Sequence, residues 1–352
     1  MSGGGLFNKD NITKYLIAAS LILIASIVGK KFKNYFDDEA YSSSNDYKLI
    51  KQYLLNDDLY HSRKPNLWIH LKYEVNARVW QSFGSRNTYD LNQPYLHLTI
   101  KSIIHHCEKS FNICLIDDST FQKLLPGWNI KMDSLAEPFC THYRELGMLK
   151  LIHEYGGIIV PNSFLCFRDL INLYSHEKGP FVCENINRST GCSLQFTPDI
   201  RFMGAQKKCP VINDLITFIS DRNSHPHYSI ESDFIGSISN WCIDRVRERK
   251  LKLLSADMIG AMSHKNKKPI LLDNLMEEQY LDIPNHAIGI YIPADEILNR
   301  PKYQWFSVIS SDEVLNGTSI LSKYFINTIG NIHDTIAAYS AVEKAFEPKT
   351  SI

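Results

Sequence analysis

The stretch HEYGGIIVPNSF, His153–Phe164, joins a helix pattern to a short strand pattern and decides the fold class. The helix pattern ends at Tyr155, and two glycines then permit the chain to reverse, because glycine adopts positive φ without steric cost. The apolar run Ile158 to Val160 is typical of a short buried strand. Open α/β sheets bind ligands at the carboxyl ends of their strands, so Asn162 and Ser163 occupy a candidate binding position.

Strand and helix patterns alternate along the main part of the chain. Strand patterns occupy residues 66–72, 111–118, 157–160, 180–185 and 199–205, and helix patterns occupy residues 94–107, 137–155, 210–221 and 232–250. This order predicts an α/β domain over residues 63–317, with a mostly parallel sheet and helices on both faces. Apolar residues at helical spacing predict a packed helical tail over residues 318–352.

The composition is that of a globular protein with a sizeable core, since 44% of the 352 residues are apolar and 22% are charged. Lys plus Arg and Asp plus Glu number 38 each, so net charge gives no indication of a nucleic-acid partner. The eight cysteines include no C-x-x-C pair and no His at zinc-ligand spacing. Several lie in apolar patterns, which favours buried free thiols, while their even number leaves disulfides open.

Residues 15–29, YLIAASLILIASIVG, contain no charged residue and predict a transmembrane anchor. The segment is shorter than the usual ~17–25 residues of a span, but flanking lysines extend it by snorkelling. A cleaved signal peptide is the alternative. The basic run KKFK follows at once and a small-x-small cleavage pattern is absent, which favours an uncleaved anchor. Residues 1–14 are then a tail and residues 30–62 a polar stalk.

The charges beside this segment predict its orientation. Three lysines follow it and two precede it, at positions 30, 31 and 33 and at positions 9 and 14. Because the more basic flank stays on the cytoplasmic side, we expect a single-pass membrane protein whose main domain faces the cytoplasm.

The helix pattern at residues 137–155 places a charged residue on an apolar stripe. The apolar residues that share the face of Arg144 are Met148, Leu151 and Tyr155. A guanidinium on such a face needs a partner when it is buried. A structural carboxylate such as Glu184 or Asp118 is one alternative. A ligand phosphate, which fits the planar donors of arginine, is the other.

This part of the chain resembles the glycosyltransferases related to capsular polysaccharide synthesis proteins and the DXD sugar-binding enzymes. The shared features are a helix that carries an Arg, a Tyr-Gly-Gly after it and a hydrophobic strand. The family motif runs roughly D-x-x-R, then L-x-x-Y-G-G, two hydrophobic residues and D-x-D, on a GT-A fold. The resemblance covers about residues 66–190 and includes LWIHL and ICLIDDSTF as the first two strands. DFIGS (233–237), GIYIPADEIL (289–298) and RPKYQWF (300–306) resemble copies in large DNA viruses.

The resemblance implies transfer of a sugar from a nucleotide-sugar donor to a glycan or protein acceptor. The candidate nucleotide-sugar-binding residues are Asp118, Arg144, Asn162 and Ser163. Asp233 is the candidate catalytic base for the acceptor, with an N-cap of its helix as the alternative. Capping of the helix that begins in STFQKLL explains either Asp117 or Asp118 equally well.

The family acids are missing from their positions. Thr141 stands where the family has Asp before its Arg. Pro161 and Ser163 stand where it has the D-x-D acids, or Asn162 does if the motif is shifted by one residue. These acids hold Mn²⁺ or Mg²⁺, which need carboxylate oxygen, so we expect no metal and no other cofactor here. Cations can then stabilise the departing diphosphate. The candidates are Arg144, HKNKK (264–268) and RPKY (300–303), with a solvated loop and a surface segment as the alternatives for the last two.

Three functions remain open at this point. The chain is an active glycosyltransferase without the usual metal site, or a pseudoenzyme that binds a sugar nucleotide without transferring the sugar. It is alternatively a structural membrane protein, for example in a virion. The membrane is accordingly that of a host cell or of a virion.

Overall fold

The computed structural model describes residues 64–71, 93–176, 179–187, 195–224 and 231–329. The predicted anchor at residues 15–29, the stalk at residues 30–62 and the tail from residue 330 lie outside these ranges. Within them, every helix is too short or too polar to cross a bilayer. The anchor and its orientation stay predictions.

A six-stranded sheet with the order β2-β1-β3-β6-β5-β7 forms the centre of the domain. Its strands are β1 Asn66–His70, β2 Asn112–Ile116, β3 Gly157–Ile159, β5 Phe181–Asn187, β6 Gln195–Ala205 and β7 Lys252–Leu254. The pairs that contain β6 are antiparallel and the other pairs are parallel. The predicted α/β class with a mostly parallel sheet is therefore confirmed. The reversal of β6, which brings its first residues to the carboxyl ends of the other strands, was not predicted.

A small antiparallel sheet pairs β4, Phe164–Cys166, with β8, Gly289–Tyr291. The longer helices are α1 Tyr95–Cys107, α3 Phe139–Tyr155, α5 Pro210–Ser224 and α6 Glu231–Arg247. The shorter helices are α2 Thr120–Leu124, α4 Ile171–His176, α7 Leu272–Met276, α8 Ala294–Asn299 and α9 Ser311–Leu315. Residues 320–329 are helical, and the rest of the predicted tail lies outside the described residues.

Two cores cover the two faces of the sheet, because successive side chains of a strand point to opposite faces. On β1, Trp68 joins a cluster that contains residues of α3, α5 and α6, whereas Leu67 and Ile69 join a second cluster with residues of α1. A third cluster joins β4 and β8 to α7 and the helix at residues 320–329. Helices thus lie on both faces of the sheet, as predicted.

Two glycines connect α3 to β3 at the centre of the sheet. Gly156 has φ 72° and Gly157 has φ 115°, conformations that L side chains rarely adopt. A Cβ atom on Gly157 would lie 2.1 Å from the carbonyl oxygen of Asn66. The indole Nε1 of Trp68 donates a hydrogen bond of 2.9 Å to the carbonyl of Gly156. The close approach to β1 explains the glycine at position 157, whereas at position 156 a Cβ atom would lie 2.9 Å from the backbone nitrogen of Lys207.

The cysteines are buried as the sequence predicts. Those of the described residues, Cys107, Cys114, Cys140, Cys166, Cys183, Cys209 and Cys242, are all buried and free. Phe139, by contrast, is a large apolar residue that is 42% exposed. Phe139 is the first residue of α3, and its ring meets His142 edge-on at 6.0 Å.

We expect Gly157→Ala to lower the free energy of unfolding by at least about 3 kcal/mol, because it combines a strained φ with a clash against backbone. Urea unfolding of both proteins measures the change. Gly236→Ala is the matched control, since a Cβ atom there meets nothing within 4 Å and the residue lies inside α6. The control should gain roughly 0.5–1 kcal/mol. Equal stability of Gly157→Ala and wild type would contradict the role of the junction.

Candidate functional site

At the carboxyl ends of β1 and β2, one carboxylate joins three elements. Arg144 on α3 donates from Nε and Nη2 to the two oxygens of Asp118, both at 2.7 Å. Nε2 of His70, the last residue of β1, lies 2.9 Å from Oδ1 of the same carboxylate. Glu137 adds a contact of 3.5 Å to Nη1 of Arg144. Of the two alternatives for the partner of Arg144, the structure shows the carboxylate, and it is Asp118.

Burial and charge fix the protonation of this cluster. Burial opposes ionisation of Asp118, but hydrogen bonds from Arg144 and His70 outweigh it and hold the pKa of the carboxyl well below its usual range. Burial lowers the pKa of His70 against the opposing effect of Asp118, so the imidazole is neutral at pH 7. His70 stacks on Phe121 with ring centroids 5.7 Å apart. Gly147 of α3 leaves room for that ring, since a Cβ atom there would lie 2.8 Å from it.

The neighbouring acid caps a helix. Oδ1 of Asp117 accepts the backbone N–H of Thr120 at 2.9 Å and the hydroxyls of Ser119 and Thr120, both at 2.7 Å. Of the two acids considered for this role, Asp117 therefore caps α2. These hydrogen bonds together outweigh burial and lower the pKa of Asp117.

The residues at the D-x-D position follow β3 at the carboxyl edge. The carbonyl of Asn162 accepts the Thr99 hydroxyl, and the carbonyl of Ser163 accepts the N–H of Ile292 at 3.0 Å. Ser163 is buried and Asn162 is partly exposed. Both accepting atoms are backbone carbonyls, and the side chains at these positions offer an amide and a hydroxyl in place of the carboxylates that hold a divalent cation in the family motif. Across the described ranges, no three His, Cys, Asp or Glu side chains converge in a way that could hold a metal ion.

A cavity of 350 Å³ opens at the carboxyl edge beside β5 and β6. Its walls come from α3, α6 and the segment that follows β8. The polar residues that line it include Thr141, Glu145, Asn185, Asn187, Asp199, Arg201, Tyr291, Asp295, Glu296, Asn299 and Arg300. The predicted site residues Asp118, Arg144, Asn162, Ser163 and Asp233 are not among the described residues of its lining.

A bulge in β6 shapes the floor of this cavity. Val182 pairs with Met203, but the next residue, Cys183, pairs with Asp199, so residues 200–202 are extra in β6. Such bulges re-aim side chains and are frequent beside functional sites. Asp199 accepts hydrogen bonds from Nε and Nη2 of Arg201, both at 2.9 Å, and from Nδ2 of Asn185 at 3.0 Å.

The two charged residues of this network differ in exposure. The side chain of Asp199 is 11% exposed, whereas that of Arg201 is 47% exposed. Burial raises the pKa of Asp199, but Arg201 outweighs it and the net shift is downward. The charge of Asp199 raises the pKa of Arg201 well above its usual value. Both groups are therefore charged at neutral pH.

Sequence reasoning missed this network. The strand pattern at residues 199–205 was recognised, but its two charged residues were not singled out. The available signal was the segment PDIRF, in which Asp199 and Arg201 alternate with apolar residues and so share one face of a strand. The bulge and the contact with Asn185 come from strand pairing, which the local pattern does not encode.

Asp233 lies in the first turn of α6 and is exposed. The N-cap alternative for this residue is wrong, because α6 begins at Glu231, two residues earlier. Its catalytic role stays a prediction.

Side chains in both of the other predicted cationic segments lie beside carboxylates. Lys267 and His264 lie 3.0 Å and 3.3 Å from Asp257. Arg300 donates to both oxygens of Asp273, at 2.8 Å and 3.0 Å.

The sequence matches no protein-family model and no curated protein. Among solved structures it is similar to the PaToxG glycosyltransferase, at a TM-score of 0.29 and 11% identity over 52% of this chain and 70% of that chain. Similarity at this level does not identify a family.

We expect Arg144→Gln to lower the free energy of unfolding by roughly 2–4 kcal/mol, because it leaves the partly buried Asp118 carboxylate without its main partner. Arg247→Gln is the control, since Arg247 and Asp244 form an ion pair whose side chains are 77% and 61% exposed. The control should change stability by less than about 0.5 kcal/mol. Similar stabilities of the two variants in urea unfolding would show that the Asp118 pair contributes nothing beyond a surface contact.

The lowered pKa of Asp118 predicts that the free energy of unfolding depends on pH. Because its pKa is lowered on folding, its contribution to stability is complete above the ordinary Asp value near ~4 and is lost as the pH falls toward the folded value. Asp118→Asn should therefore be less stable than wild type at pH 6 and should lose less stability on further acidification. Urea unfolding at several pH values measures both slopes. Parallel profiles would contradict the lowered pKa.

Proposed function

We propose that this chain is a glycosyltransferase-like protein that binds a nucleotide-sugar at the carboxyl edge of its sheet, without the D-x-D metal site. The observation that carries the proposal is the polar cavity at that edge, between α3, β6 and the segment after β8. Open α/β sheets bind ligands at this edge. The Tyr-Gly-Gly resemblance adds the chemistry, which is sugar transfer to a glycan or protein acceptor.

The predicted residues take distinct roles in this proposal. Asn162 and Ser163 support the rim from behind, since the carbonyl of the buried Ser163 accepts the N–H of Ile292 and the next residue, Pro293, lines the cavity. Arg144 is held in place by Asp118 and orders the start of α3, the helix that supplies the lining residue Glu145. Asp233 keeps its predicted role as the base for the acceptor and lies in the first turn of α6, the helix that also supplies the lining residue Ile235. The anchor at residues 15–29 holds this domain on the cytoplasmic side of a host or virion membrane.

A second candidate function is that of a pseudoenzyme or a structural membrane protein. The observation that favours it is that Arg144 contacts the carboxylates of both Asp118 and Glu137. Its side chain is only 14% exposed. A guanidinium that is already held by two carboxylates is poorly placed to receive a phosphate. In this case the fold is kept and the transfer chemistry is lost.

Calorimetric titration of the full-length chain with UDP-, GDP- and CMP-sugars, with and without Mn²⁺, tests the proposal. We expect at least one sugar nucleotide to bind. Mn²⁺ should change its affinity by less than about tenfold, because the neutral oxygens of Asn162 and Ser163 hold a hard cation poorly. A larger gain would show that acids elsewhere form a metal site. Failure of every sugar nucleotide to bind would leave the structural function.

Turnover separates an active enzyme from a pseudoenzyme. Release of free nucleotide from the best-binding sugar nucleotide should require Asp233, so Asp233→Asn should lower the rate by at least about 100-fold with unchanged binding. Asp244→Asn, on an exposed position of the same helix, is the control. Binding without turnover in wild type would favour the pseudoenzyme.

A further inference from the structure

Arg201 presents an open set of donors to the cavity. Its Nε and Nη2 atoms bind Asp199, and its backbone N–H also donates to that carboxylate at 3.1 Å. Nη1 has no hydrogen-bond partner within the described part of the chain, and the side chain is 47% exposed. Because Asp199 is nearly buried and also held by Asn185, the guanidinium is fixed before any ligand arrives. A fixed guanidinium with a free edge fits a planar anion in bidentate contact.

The other charges of the cavity restrict which anion fits. Asp199 already neutralises Arg201, and Asp273 and Glu296 neutralise Arg300. Glu145 and Asp295 add negative charge to the lining, and Glu145 interacts electrostatically with Arg201. Repulsion from these acids grows with ligand charge, so the cavity itself tolerates a singly charged carboxylate better than a phosphate, and the diphosphate of a sugar nucleotide lies outside it while the sugar occupies it.

The size and lining of the cavity fit a single sugar ring. Its volume of 350 Å³ is at the small end of ligand cavities, which span about 300–1,000 Å³. The amides of Asn187 and Asn299 and the hydroxyl of Tyr291 are donors and acceptors suited to ring hydroxyls. Pro198 and Ile235 offer apolar surface to a ring face.

We propose that this cavity binds a sugar that carries a carboxylate, such as a uronic acid, and that Arg201 selects it by binding that carboxylate. That the ligand is a sugar rests on the proposed function. That the sugar carries a carboxylate rests on the geometry of Arg201. It makes Arg201 a specificity-determining residue of the carboxyl edge.

Calorimetry of the full-length chain with D-glucuronate, D-glucose and D-glucose 6-phosphate tests the inference. Glucuronate should bind at least about tenfold more tightly than glucose and more tightly than glucose 6-phosphate. Arg201→Gln should abolish this preference, Arg201→Lys should keep part of it, and Arg247→Gln should leave it unchanged. Thermal unfolding of each variant establishes that it is folded.

Arg201→Gln leaves the Asp199 carboxylate without its cation, so a second variant keeps the test decisive. Glu145→Gln removes a negative charge near Arg201 and should strengthen the binding of glucuronate but not of glucose. Equal binding of glucuronate and glucose, a preference that survives in Arg201→Gln, or tighter binding of glucose 6-phosphate would each overturn the inference.

The titrations with sugar nucleotides separate the two proposals. If a sugar nucleotide binds but glucuronate has no advantage over glucose, the carboxylate inference fails and the proposed function stands. If no sugar nucleotide binds while glucuronate keeps its Arg201-dependent advantage, the proposed function fails and the carboxylate site stands.

Discussion

The carboxylate of Asp118 holds the central part of the domain together. It accepts the fork of Arg144 and lies within hydrogen-bond distance of His70, so the ends of β1 and β2 and the first turns of α3 are fixed to one another. Phe121 of α2 stacks on His70 and occupies the space that Gly147 of α3 leaves. Since α3 leads through two glycines into β3, the position of that strand follows from the same contact. A partly buried ion pair of this kind favours one arrangement of these elements, because any other arrangement leaves one of the two charges without its partner.

The carboxyl edge carries two arginine–carboxylate pairs with similar hydrogen bonding and different exposure. Arg144 is 14% exposed and contacts two carboxylates, while Arg201 is 47% exposed and has Asp199 as its ion-pair partner within the described residues. The first pair fixes the fold, and its charges are screened from solvent by the elements it joins. The second pair sits on a bulged strand that turns it toward a cavity. Burial rather than residue type therefore distinguishes the structural guanidinium from the one that is available to a ligand.

Much of the fold follows from local patterns in the sequence. The alternation of strand and helix, the glycine turn after Tyr155 and the capping of α2 by one of two adjacent acids were predicted from spacing and residue type. The reversal of β6 and its bulge were not, because strand direction and register depend on pairing partners far along the chain. Arg201 and Asp199 alternate with apolar residues in PDIRF but were not singled out, and Asp233 was considered as an N-cap although α6 begins at Glu231. The roles of Asn162, Ser163 and Asp233 stay predictions, since they concern a ligand.

The contact between Trp68 and Gly156 has an optical consequence. The indole of Trp68 is 3% exposed, its N–H is bound to the carbonyl at the end of α3, and its ring lies 5.9 Å from that of Tyr155. Trp305, by contrast, is 52% exposed. Indole emission shifts to longer wavelength when water reaches the ring, so Trp68 emits on the blue side of the spectrum together with Trp128, which is 7% exposed, and Trp305 emits on the red side. The chain thus contains an intrinsic fluorophore at the point where α3 turns into β3.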